Sequence, residues 1–116
     1  TPGWYTLDKN GNPVPKGPRD APLTHEERTV LRHQFGPIIV STVFLSLDHR
    51  HSPDGEPVLW ETLVFGGSLS EEGMRYTSRA DAIAGHWEMI ERLQQTEEGA
   101  LCIAATGGVE KGLVEV

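Results

Sequence analysis

The sequence predicts an α+β fold: a small antiparallel sheet of three to four strands packed against one main C-terminal amphipathic helix. Three observations carry this reading. Ile38–Leu47 (IIVSTVFLSL) and Val58–Phe65 (VLWETLVF) are short runs dense in β-branched and aromatic residues, the composition of strands. The chain between them, 48–57 (DHRHSPDGEP), is polar with two prolines and a glycine, so the two runs pair most simply as antiparallel neighbours. Beyond Ser78 the apolar period becomes helical. Met89, Ala82, Leu93, His86, Ile90, Ile83, Trp87 and Ala80 fall on one arc, and Asp81, Glu88, Glu91 and Arg92 on the other.

The elements follow in chain order. Residues 1–23 contain Pro2, Pro13, Pro15, Pro18 and Pro22 with Gly3, Gly11 and Gly17. Proline fixes φ and removes a donor, so this is an ordered arm rather than a long helix or central strand. Within it, Trp4–Leu7 is a short extended piece and Asp8-Lys9-Asn10-Gly11 a turn, with Trp4 and Tyr5 expected to pack on the domain. Asp8, Asn10 and Asn12 are spaced like the start of a calcium loop. The glycine falls at the wrong loop position, however, and the closing glutamate is missing, so the pattern fails.

Thr24 and Glu27 can form a capping box over a turn or two of helix. A strand is expected from about Thr29, and Gly36-Pro37 makes a tight connection into 38–47. Residues 68–77 read as a polar, acidic connection. Ser78 caps the main helix with Asp81 at its third position, and Gly99 supplies a left-handed stop near Glu97–Gly99. The organisation predicted is thus an arm (1–23), a single α+β domain (24–99), and a tail or edge strand (100–116). Ile83, Trp87 and Ile90 are expected to meet a sheet face carrying Val43, Leu45 and Trp60.

Composition narrows the class of function. A length of 116 residues is one domain's worth. The net charge of −7 is uneven: residues 1–50 hold six basic and five acidic side chains, residues 51–116 four basic and twelve acidic. Such a chain lacks the basic footprint of a nucleic-acid binder, so nucleic acid is not an expected partner. No apolar run approaches the ~20 residues of a membrane helix, so no membrane association is expected. A single cysteine, Cys102, flanked by Leu101 and Ile103, excludes an internal disulfide and reads as an inert thiol. No charged-then-apolar leader opens the sequence, and Thr1 is what removal of an initiator methionine would leave, so a cytoplasmic product is expected.

Five histidines invite a metal hypothesis. Asp48, His49, Glu61 and His86 are residue types that bind zinc or manganese, and they are the candidate catalytic set. His49, His51 and His86 are the candidate metal ligands. Strand geometry opposes the full set. With Leu47 opposite Val58, Glu61 falls opposite Phe44, and His49 lies roughly 16 Å further along at about 3.3 Å per residue. Structural roles account for the same residues. His86 reads as a hydrogen-bonded core histidine. Glu61 reads as a carboxylate paired with Arg28, Arg32, Arg75 or His86, a Glu61–His86 bridge from sheet to helix being one form, or as a solvent-facing residue if the sheet has an open side. His49 and His51 read as solvated loop residues. GxSxG, HExxH, Walker A and GxGxxG motifs are absent from the sequence.

Three blocks, Val40–His49 (VSTVFLSLDH), Trp60–Gly67 (WETLVFGG) and Arg75-Tyr76-Thr77-Ser78 with Ala82 and Gly85-His86, together resemble a family of small proteins encoded by tailed bacteriophages and prophages, many from actinobacterial hosts. Trp4-Tyr5, Leu7-Asp8 and Asn10–Pro13 fit that family's usual start, and the resemblance covers about residues 4–93. The chain departs from the pattern at Ser46 (glycine in the family), Trp60 (phenylalanine) and Leu63 (methionine). The motif includes Asp48, His49, Glu61, Gly85 and His86 but brings no activity with it. What the resemblance implies is a phage origin and a setting in the cytoplasm of the bacterial host.

The expected function is that of a phage-encoded accessory protein, non-enzymatic, binding a host or phage macromolecule. A basic protein is the partner that the acidic balance favours. No cofactor is expected. The alternatives are a small metal-dependent hydrolase or nucleotide-binding protein using Asp48, His49, Glu61 and His86 with a divalent metal, and a minor virion component. Homodimerisation through a sheet edge or the tail remains open at this point.

Overall fold

A computed structural model describes residues 3–115, so the reading of Thr1 lies outside the described residues. Two strong apolar runs become central strands because each can bury one face. Strand β4 (Ile38–Phe44) pairs antiparallel with β3 (Thr29–Phe35) on one side and β5 (Trp60–Phe65) on the other. A fourth strand, β6 (Gly73–Tyr76), completes the order β3-β4-β5-β6. The arm folds into a hairpin of its own, β1 (Tyr5–Leu7) against β2 (Pro13–Pro15), joined to the sheet by a Trp4–Leu47 bridge. Helix α1 (His25–Arg28) carries the predicted capping box, with Thr24 and Glu27 each satisfying the other's backbone N–H. Helix α2 (Arg79–Gln94) starts at Ser78, whose hydroxyl accepts from Asp81 N–H. The architecture is the predicted α+β class, with the main helix on one face of an antiparallel sheet.

Several details differ from the sequence reading. Residues 73–76 form β6 rather than a connection. The main helix stops at Gln94, and a second helix, α3 (Glu97–Thr106), follows at once with Thr96 as its cap. Gly99 is inside that helix, where its N–H meets the Thr96 hydroxyl. The left-handed stop falls at Gly107, with φ 105°. The expected tail or edge strand is therefore largely helical. Ile103 is buried in the core, and Leu113 makes a single bridge to His33 at the β3 edge.

The register between the main strands is shifted by one from the expectation: Phe44 faces Trp60 and Val43 faces Glu61. The reason is local. Ser46 adopts φ 66°, which ends the strand, and Leu47 turns aside to pair with Trp4. This is the left-handed region that favours glycine, the residue the resembled pattern has at this position.

The sheet face under α2 carries Phe35, Ile38, Val40, Phe44, Trp60 and Val64, all 1% exposed or less, with Thr42 and Thr62 between them. Trp60 is on this face as expected; Val43 and Leu45 are not, because the buried face of β4 is the even-numbered one. From the helix come Ala82, Gly85, His86, Met89, Ile90 and Leu93, whereas Trp87 is 46% exposed. Gly85 is required here because a Cβ would sit 1.9 Å from the Tyr76 hydroxyl. The apolar core is in two parts. Phe35, Ile38, Val40, Val64, Met89, Ile90, Leu93 and Ile103 form one, and Phe44, Leu59, Trp60 and Ala82 the other. No helix among the described residues is long and apolar enough to cross a membrane.

Candidate functional site

The predicted site residues separate. Asp48, 8% exposed, is the centre of the loop after β4. Its Oδ1 accepts from Arg50 N–H and Val58 N–H, both at 2.9 Å, and Oδ2 pairs with the Arg50 guanidinium. Burial alone would raise its pKa. Those hydrogen bonds outweigh burial and hold the carboxyl below the ordinary aspartate range. His49 is half-buried beside it, donating its backbone N–H to Val58 O, and His51 is exposed. Glu61 points to the sheet face away from α2, where Arg75 on β6 donates to its carboxylate at 3.0 Å. The bridge considered between Glu61 and His86 is not formed, because alternate residues of β5 face opposite sides. Asp48, His49, Glu61 and His86 are thus not brought together. Among the described residues no three His, Cys, Asp or Glu side chains are placed to hold a metal ion, including any group with His49, His51 and His86.

His86 has instead a set of partners that sequence reasoning missed. Its Nε2 lies 2.8 Å from His33 Nδ1, and its Nδ1 lies 2.8 Å from Thr42 Oγ1. Thr42 Oγ1 is 2.6 Å from Thr62 Oγ1, which donates to the Ala82 carbonyl at 3.1 Å. The end of this chain determines its direction. A carbonyl can only accept, so the one hydroxyl proton of Thr62 goes to Ala82. Thr42 must then donate to Thr62 and accept from His86 Nδ1–H. A neutral His86 has a bare Nε2, which accepts from His33 Nδ1–H. Every partner is satisfied in one proton arrangement, in which both histidines are neutral and protonated at Nδ1. Burial pushes His86 down to about 4, with His33 opposite adding to the shift, and burial also lowers His33. This polar chain crosses the covered face between the two apolar clusters. It fastens β3, β4, β5 and α2 together. The readable signal for it was cross-strand: Thr42 and Thr62 occupy the same rung, each at a buried-parity position of an otherwise apolar strand.

The surface carries a more suggestive feature. Trp87 extends from α2 beside the exposed Glu88 and Glu91, stacking edge-on against His33 at 5.1 Å between ring centroids. Together with Ala84, Ile90, Gln94 and Val109, these residues line a groove of about 410 Å³ that has no Lys or Arg in its wall. At the far end of α2 the acidity continues. Glu72 pairs with Arg92 at 3.3 Å, and Glu71, Glu97 and Glu98 are exposed around it. Comparison with protein-family models, curated proteins and solved structures returned no match to this chain.

Proposed function

We propose that the protein is a phage-encoded accessory protein, non-enzymatic, that binds a basic segment of a host or phage protein inside the infected bacterium. The observation that supports this reading is the α2 groove, whose wall combines a half-exposed tryptophan with Glu88 and Glu91, carboxylates that make no ion pair among the described residues. A Lys or Arg side chain gains there twice. Its cation meets the Trp87 ring face and the Glu88 or Glu91 carboxylate, while its methylene stem covers apolar wall. The phage origin and the host-cytoplasmic setting come from the sequence resemblance alone.

The test is an affinity capture from infected host lysate, run side by side with the wild-type chain and a Glu88→Lys/Glu91→Lys variant. Both glutamates are exposed, so the fold is retained. A protein retained by the wild type, released by salt and lost with the variant supports the reading. Equal capture by both chains, or a nucleic acid as the retained species, overturns it.

A further inference from the structure

A second cavity, of about 450 Å³, lies under the arm and shares no residue with the α2 groove. Trp4, Pro22, Leu23 and Leu45 give it apolar walls, and Lys16 and Arg28 add two cations. Main-chain hydrogen bonds tie these walls together. Lys16 N–H donates to the Trp4 carbonyl at 2.8 Å, and Tyr5 N–H donates to the Ser46 carbonyl at 2.7 Å. The Thr24–Glu27 capping box fixes the start of α1 between Leu23 and Arg28. The cavity is therefore formed in the free protein, which spares a ligand the cost of ordering it.

Charge sets this cavity apart from the rest of an acidic chain. The sequence holds seventeen acidic side chains against ten basic, yet no Asp or Glu is among the residues that line this wall. Two acids that flank it in sequence are taken up locally: Asp20 accepts from Gly17 N–H, and Glu27 from Thr24 N–H. Lys16 and Arg28 are both half-buried, and neither makes an ion pair among the described residues. Their stems can line the wall while their charges stay at its mouth, where only water balances them. Trp4 shares the wall with 58% of its surface exposed.

We infer that this cavity is a binding site for a small carboxylic acid with an aromatic body. The two cations take the carboxylate, Arg28 through a planar fork of donors that matches its two oxygens. The Trp4 ring stacks on the aromatic body, and Leu23 and Leu45 cover its edge. Neither half of such a ligand suffices alone: a bare anion leaves the apolar wall wet, and a neutral aromatic leaves both cations without a counter-charge. The volume falls in the range of small-molecule sites, and an apolar wall with a few convergent polar groups is their usual composition. This site is independent of the α2 groove and of the protein partner proposed for it.

The experiment is a titration of the full chain with 3-phenylpropionate, its neutral amide 3-phenylpropionamide, and acetate, read by heteronuclear NMR. Saturable shifts of the Trp4 indole N–H and of the Leu23 and Leu45 amides are expected with 3-phenylpropionate, with the Trp87 indole unmoved. The amide and acetate should each bind about tenfold more weakly or not at all. A Lys16→Gln/Arg28→Gln variant should bind the acid no better than the wild type binds the amide. The comparison of acid with amide needs no substitution, so it stands even if that variant fails to fold. The proposal is overturned if 3-phenylpropionate gives no saturable shift at these positions, if the amide or acetate matches it, or if the folded double variant binds it as well as the wild type.

Discussion

Thr62 and Glu61 are neighbours on β5, yet they stand in different solvents. On the face under α2, Thr62 belongs to a chain of five groups in which each donor and each acceptor has one place to go. On the other face, Glu61 meets Arg75 in a pair whose side chains keep 21% and 46% of their exposure. The difference teaches what polar residues mean in this fold. A polar group on the covered face must be satisfied by protein, because nothing else is there to satisfy it. A charge on the open face already has water, so its partner adds little.

The largest expected effect follows from cutting the covered chain at its middle. His86→Ala leaves a cavity between sheet and helix and orphans the His33 Nδ1–H. It should cost about 3 kcal/mol or more by chemical denaturation. A cost under about 1 kcal/mol would mean that the chain is slack, and would remove the contrast between the two faces.

Acid offers the same cut without a mutation. The His86 pKa is depressed in the folded state, to about 4, from about 6.5 when unfolded. Between these values the unfolded chain binds the extra proton, so stability falls as pH is lowered through this window and is fully present above it. The expected loss from His86 is about 3 kcal/mol by pH 4, measured as a falling denaturation midpoint. His33 acts in the same direction. Asp48, also depressed, acts only at lower pH, where carboxylates titrate. A flat profile from pH 7 to 4.5 would contradict this.

Thr62→Val keeps the shape and removes one link. With the Ala82 carbonyl and the Thr42 hydroxyl left to rearrange, about 1–2 kcal/mol should be lost. Glu61→Gln on the open face should change stability by less than about 0.5 kcal/mol, and that small difference should shrink further in high salt. If Glu61→Gln proved as costly as Thr62→Val, the open face would be carrying more of the fold than its exposure suggests.

The parts legible in sequence were those with local causes. The β-branched runs gave β4 and β5, the Thr24–Glu27 box gave α1, and Ser78 with its amphipathic arc gave the start of α2. The antiparallel α+β class followed. Strand β6 was hidden because Gly73-Met74-Arg75-Tyr76 has little strand propensity of its own; pairing with β5 makes it a strand. Helix α3 was hidden because Thr96, Glu97 and Glu98 could close one helix as readily as open another. Among the candidate site residues, His86 stood out correctly as a polar group in an apolar setting; Glu61 lies on the open face instead, paired with Arg75, one of the partners considered for it. The Thr42–Thr62 rung was a signal open to reading, but its links to His86 and on to His33 were not, since they join residues 44 and 53 positions apart. The one-residue shift in register came from Ser46, whose positive φ nothing in its own chemistry announces.

The polar chain also gives the molecule an internal clock. A hydroxyl proton in water exchanges too fast to be followed, but Thr42 and Thr62 are fully buried, with their protons committed to one neighbour each. Those protons can meet solvent only when helix and sheet part. The exchange lifetimes of two threonine hydroxyls and two imidazole N–H groups therefore time the rarest opening of the fold, and do so from the centre of the structure rather than from its backbone.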